Sequence, residues 1–165
     1  LRVPRYSGRG RAFQIPGFQI MTVTGEDIVA QAREWLGVKW RHQGRNRAGI
    51  DCAGLLLAVA SHFDLPRGDM VGYRRDPSFV FVQNIRSHTL PCREILHGSI
   101  GIFHDTLQPC HTGIFNLDAS GRVTVIHAEA DPKGYCHEQD FDADHTPMRA
   151  RLAGIRLFKG VDYVL

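Results

Sequence analysis

Residues 37–63 restrict the fold of this chain more than any other stretch. A loop rich in glycine and arginine runs from Gly37 to Ile50 into Asp51, after which Leu55, Leu56, Val59, Ala60 and Phe63 recur at helical spacing. Asp51 is a good N-cap, because its short carboxylate can accept the unpaired N–H groups of a first helical turn. The spacing predicts a buried helix with Cys52 in its first turn. That position favours a thiolate, since free N–H groups and the positive end of the helix dipole draw a thiol pKa from about 8.5 toward 7 or below. A small core cysteine without a chemical role would have the same local sequence.

A second stretch far downstream separates these alternatives. Cys110-His111-Thr112-Gly113-Ile114-Phe115 reads as a strand opening with a histidine, and Val123-Thr124-Val125-Ile126-His127-Ala128 as a strand closing with another. The polar turn from Asn116 to Arg122 joins them into an antiparallel hairpin. A cysteine on a helix N-terminus, a histidine on a strand and a polar residue on the next strand make a nucleophile, a base and an orienting group. Cys52, His111 and His127 are therefore the candidate catalytic residues. Trp40, His42, Arg45, Arg47 and Asp51 are the candidate substrate-binding residues, the guanidinium groups being suited to carboxylates. A solvated charged loop has the same composition.

With these motifs in this order the chain resembles the NlpC/P-sixty cysteine peptidases, papain-like cell-wall hydrolases, and most closely their phage-encoded members. The resemblance covers about Met21 to Val161 and is carried by Asp51-Cys52-Ala53-Gly54-Leu55, His111 to Phe115 and Ile126-His127-Ala128. It implies an α+β fold with N-terminal helices packed on a small antiparallel sheet. It also implies a Cys-His-His thiol amidohydrolase without cofactor, acting on peptidoglycan stem peptides at the D-glutamyl to diamino-acid bond. His111 would pair with the Cys52 thiolate, and His127 would share the proton on the other ring nitrogen. Trp40 stands where many members have tyrosine, and Ser99 where an aspartate is usual. The phage-like members imply delivery to the cell wall by a virion or similar particle, with phage-like tail proteins as partners. Two other functions fit the same residues: a thiol acyltransferase or amidase on another acyl substrate, and a catalytically silent subunit of a tail tip.

At 165 residues and 43% hydrophobic composition, the chain is expected to form one domain over residues 21–165. Residues 1–20 read as a flexible basic leader, not necessarily native, with Arg2, Arg5, Arg9 and Arg11, no acid, and Pro4, Gly8, Gly10, Pro16 and Gly17 breaking any period. Met21 suits a natural start. The leader lacks the apolar run of a signal peptide, which points to synthesis in the cytoplasm without one. Without its four arginines, 16 basic residues face 17 acidic ones and the net charge falls from +3 to −1. No nucleic-acid partner is therefore expected, and no apolar run approaches the ~20 residues of a membrane span.

The remaining stretches predict a first helix over Gly25 to Leu36, capped at Thr24, with Ile28, Ala32, Trp35 and Leu36 on its apolar face. A later helix is expected over Pro77 to Ser87, with Asp76 as N-cap and Phe79, Val82 and Ile85 or Arg86 facing the core. Leu90 to Cys92 reads as a loop, Ser99 to Phe103 as a strand capped by the serine hydroxyl, Glu129 to Pro147 as an irregular acidic region, and Arg151 to Phe158 as a closing strand. Cys52, Cys92, Cys110 and Cys136 include no Cys-x-x-Cys pair, and neighbouring residues of Cys110-His111 or Cys136-His137 would face opposite ways on a strand. Neither a metal site nor a disulfide is expected, and free thiols suit a reducing compartment. His42, His62, His88, His97, His104 and His145 are expected at surface or supporting positions. A chain starting at Met21 should melt within a few degrees of the full one; a large fall in Tm would show that residues 1–20 pack on the domain.

Overall fold

The computed structural model describes residues 22–69, 72–73, 79–105, 108–142 and 148–163. Residues 1–20, Asp76-Pro77 and His145 lie outside them. A short strand β1 (Val23–Thr24) leads into helix α1 (Gly25–Arg33), closed by the anticipated capping box: the Thr24 hydroxyl accepts the Asp27 N–H at 3.3 Å, and the Asp27 carboxylate accepts the Thr24 N–H at 2.8 Å. The helix ends at Arg33, earlier than the Leu36 expected. Tight turns from Trp35 to Ala32 and Leu36 to Arg33 take over, and Gly37 adopts φ +82°. The chain leaves the helix there because residues 37–40 bond to another segment, with Gly37 N–H donating to Cys136 and Trp40 N–H to Gly134. Trp35 is buried as expected, whereas Leu36 is 41% exposed and Val29 takes its place in the core.

The loop from Trp40 to Ile50 is a small antiparallel ribbon, β2 (Arg45–Asn46) with β3 (Gly49–Ile50). Helix α2 (Cys52–His62) follows, burying Leu55, Leu56, Val59 and Ala60. Helix α3 (Phe79–His88) buries Val82 and Ile85, while Arg86 faces outward.

One six-stranded sheet carries the rest, in the order β4 (Thr89–Cys92), β9 (Leu152–Phe158), β5 (Ile100–Asp105), β6 (Gln108–Leu117), β7 (Val123–Ala128), β8 (Cys136–Asp140). Every pair in it is antiparallel. Ser99 caps the approach to β5, its hydroxyl donating to Leu96 C=O at 2.6 Å and accepting Leu96 N–H at 3.1 Å. Two expectations need correction. Leu90-Pro91-Cys92 is an edge strand, the one place in a sheet that tolerates a residue without an N–H. The region after Glu129 contains β8, whose charged residues hide its alternation and are paired with neighbours, Glu138 with Arg33 at 2.9 Å and Asp140 with Arg122 at 2.7 Å. The closing strand forms as expected, as β9 from Leu152, and lies inside the sheet between β4 and β5. A one-turn helix α4 (Met148–Arg151) precedes β9, and β10 (Val161–Asp162) pairs in parallel with β1.

Alternation splits the sheet into two apolar faces. Ile100, Ile102, Ile114 and Ile126 pack with α1, α2 and α3, while Phe103, Phe115, Val125, Phe141 and Met148 fill the opposite side. The domain is thus α+β, with helices on one face of an antiparallel sheet. Among the described residues no helix is long and apolar enough to cross a membrane. Ile114→Ala should cost about 2–5 kcal/mol and Leu36→Ala less than about 0.5 kcal/mol in urea denaturation; equal losses would put Leu36 in the core.

Candidate active site

The site begins at the carboxylate of Asp51, 3% exposed. One oxygen accepts the Gly54 N–H at 2.8 Å and the Arg45 guanidinium at 2.9 Å; the other accepts the Gln43 N–H at 2.7 Å and the Tyr73 hydroxyl. The N-cap therefore holds three separate segments, the ribbon, the Tyr73 segment and the first turn of α2. Gly54 is required where that turn meets the ribbon, since a Cβ there would lie 2.1 Å from the Gly44 carbonyl oxygen. Cys52, half-buried, opens α2. Its carbonyl accepts the Thr112 hydroxyl at 3.3 Å, which lays the helix start against β6 one residue after His111.

On the sheet, Ile114 pairs with Ile126, so His111 lies diagonally across from His127. Gly113 sits between them, and a Cβ on it would come within 3.1 Å of His127 Cβ. The two rings meet edge to face, with His111 Nε2 2.8 Å from His127 Nδ1. His127 is fully buried. On its other side it faces His137 of β8, with ring centroids 4.4 Å apart, and His137 Nε2 lies 2.7 Å from the Glu129 carboxylate. His127, His137 and Glu129 are also the described residues grouped closely enough to hold a metal ion.

The electrostatics differ from expectation. Burial, then the adjacent Asp51 carboxylate, pushes the Cys52 thiol up to about 12, against the pull of the Thr112 and Ala53 N–H groups. Burial, with Arg151 and His137 nearby, pushes His111 down to about 3. Burial and the flanking His111 and His137 hold His127 well below its usual range. The expected lowering of the thiol pKa is thus reversed: desolvation and the neighbouring carboxylate outweigh the helix terminus. Thiol and imidazole rest neutral, and among the described residues no hydrogen bond joins the Cys52 thiol to His111.

The candidate binding residues divide. Arg45 donates to Asp51, to Asp69 at 3.0 Å and to the Tyr73 hydroxyl at 3.0 Å. Arg47 lies 4.1 Å over the Trp35 ring and donates to the Glu34 carbonyl. Both guanidinium groups are therefore engaged within the chain. Trp40 stacks on His42 with ring centroids 6.4 Å apart, and His42 meets the Tyr73 ring edge at 5.3 Å. Tyr73, Thr112 and Glu129 are absent from the sequence-based set, and His137 enters it only beside Cys136, as a rejected metal ligand. The alternation His127-x-Glu129 is the one signal that could have flagged any of them, by placing both side chains on one face of a strand.

No protein-family model matches the sequence, and no curated protein is significantly similar to it. Solved structures do resemble the fold. An NlpC protein of Trichomonas vaginalis superposes with TM-score 0.61 at 21% identity, over 89% of this chain and 47% of its own. A lipoprotein-like NLP/P-sixty family protein of Staphylococcus aureus gives 0.58 at 18%, over 88% and 43%. The NlpC/P-sixty domain of the peptidoglycan hydrolase SagA gives 0.50 at 19%, over 72% and 90%. The chain thus has the fold of NlpC/P-sixty proteins and spans less than half the length of the first two.

A thiol held up by burial stays protonated to higher pH than a free one. In 240 nm difference spectra between wild type and Cys52→Ala, thiolate absorbance should stay flat between about pH 5 and pH 8 and rise only above about pH 9. A step near pH 4 to 5 would instead reveal a preformed ion pair.

Proposed function

We propose that this chain is a cysteine peptidase of the NlpC/P-sixty family, a thiol amidohydrolase that cuts peptidoglycan stem peptides at the cell wall. The observation that carries the reading is the 2.8 Å contact between His111 Nε2 and His127 Nδ1, set beside a helix that begins with Cys52. The fold and the sequence motifs support it. The phage-type assignment and the particle that would deliver the enzyme rest on the sequence resemblance.

The chemistry follows from the tautomers. His111 Nε2–H donates to His127 Nδ1, which leaves His111 Nδ1 as the basic nitrogen. Because both partners rest neutral, proton transfer from Cys52 to His111 accompanies attack of the sulfur on the scissile carbonyl. The oxyanion is met by the Cys52 backbone N–H at the start of α2, where the helix's free donors point outward. The imidazolium then protonates the leaving amine, the acyl-enzyme forms, and His111 activates water to release it. Trp40 and His42 offer an aromatic wall. Arg45 and Asp51 hold Tyr73, whose ring edge meets His42, and Arg47 packs on Trp35. An acyltransferase would share every step up to the acyl-enzyme and differ only in the acceptor.

The test is a muropeptide digest followed by mass spectrometry. Wild type should release cut stem peptides and Cys52→Ala should not. His127→Ala should lose on the order of 10² to 10³ in turnover, and His127→Asn, which keeps an acceptor for His111, clearly less. An active Cys52→Ala removes the nucleophile assignment. Equal turnover in wild type and His127→Ala leaves a Cys–His dyad.

A further inference from the structure

We propose that His127, His137 and Glu129 form a binding site for a divalent transition metal of zinc's kind, and that its occupation switches His111 into a tautomer that cannot act as a base. One ring nitrogen from each histidine and one Glu129 oxygen lie within 4.8 Å of one another. His127 Nδ1 is committed to His111, whereas His127 Nε2 is buried without a hydrogen-bond partner. The Gln139 side chain reaches this ring with a weak polar interaction that favours its charged form, yet Nε2 has no partner of hydrogen-bond geometry. An orphaned buried nitrogen carries a desolvation cost that a metal would remove.

The donor set is two imidazoles and a carboxylate. This combination suits zinc, with bonds of about 2.0–2.2 Å and a fourth position left open. His137 and Glu129 already converge at 2.7 Å, and His127 and His137 are direct cross-strand partners. Tetrahedral ligands at such bond lengths stand roughly 3.3 Å apart, so the 2.7 Å His137–Glu129 pair must open while wider separations in the cluster close. Glu129 lies just beyond the end of β7, outside the strand ladder, and its carboxylate is the group free to move. Two of the ligands come from paired strands and the third from just beyond one, which is why no zinc spacing is visible in the sequence.

The coupling to catalysis is a matter of proton position. A metal on His127 Nε2 requires the ring proton on Nδ1, and that N–H then donates to His111 Nε2. His111 must carry its own proton on Nδ1, the nitrogen that would otherwise take the Cys52 proton. His127 and His111 each move a proton from Nε2 to Nδ1, and His137 moves to Nδ1 the Nε2 proton it donates to Glu129; none is gained or lost, and the base is disabled. The inhibitory half rests on the thiol-peptidase reading; the binding half does not.

The Cys52→Ala chain, which offers no thiol beside His111, is titrated with zinc chloride by equilibrium dialysis, and its imidazole nitrogens are followed by ¹⁵N NMR. One zinc should bind per chain, binding should weaken at least about tenfold in Glu129→Gln and His137→Asn versions of that chain, and the His111 proton should move from Nε2 to Nδ1. In the wild type, one equivalent of zinc should suppress muropeptide cleavage and a chelator should restore it, with Glu129→Gln resistant. No stoichiometric zinc in Cys52→Ala, undiminished binding in His137→Asn, or bound zinc with His111 still protonated at Nε2 would each overturn the proposal. A wild type inert on muropeptides with or without chelator would fail the functional reading alone, since dialysis and NMR decide the site.

Discussion

Most of what positions Cys52 depends on one buried carboxylate. Asp51 accepts two backbone N–H groups, a guanidinium and a phenol, so its charge is compensated on every side although it is 3% exposed. Removing it would take one carboxylate from Arg45, the acceptor from the Tyr73 hydroxyl and the cap from the helix at once, and breaking such a buried set costs more than the contacts themselves contribute. The same charge lies next to Cys52 and helps hold its thiol protonated. Architecture and reactivity therefore pull in opposite directions at adjacent residues.

The histidine row answers that tension by working without net charge. Burial drives both His111 and His127 toward the neutral form. A pair of neutral imidazoles can still differ in which nitrogen carries the proton, and a single 2.8 Å contact makes the two choices interdependent. The orientation of His111 is thus tied to the tautomer of His127, through protons rather than fixed charges. A carboxylate in place of His127 would hold one tautomer more firmly and leave nothing to adjust.

Much of this was legible in the sequence because it is local. The Asp51 cap, the apolar period of α2, the capping box at Thr24 and the hairpin of β6 and β7 all lie within short windows, and each is where its residues implied. What could not be read is what depends on distant pairing. Helix α1 stops early because residues 37–40 find partners at Gly134 and Cys136, and β8 is a strand because β7 lies beside it, though its own residues look like an acidic loop. Arg45 and Arg47 look available in sequence because Asp69, Tyr73 and Trp35 are brought to them only by the fold. The thiol's environment was misjudged for the same reason: a helix terminus is visible in sequence, but the depth of burial around it is not.

The placement of β9 bears on how the chain comes off the ribosome. Residues 152–158 fill the slot between β4 and β5, so those two strands, synthesised earlier, have no neighbour on that side until those residues have emerged. The hairpins from β5 through β8 can form as they appear, but the apolar flank of β5 stays open meanwhile. Such late, long-range pairing is slow and exposes a strand edge to other chains. A nascent molecule therefore passes through a stage in which the histidine row can already be assembled while the sheet beneath it is still divided, and a chain truncated before Leu152 would be held there.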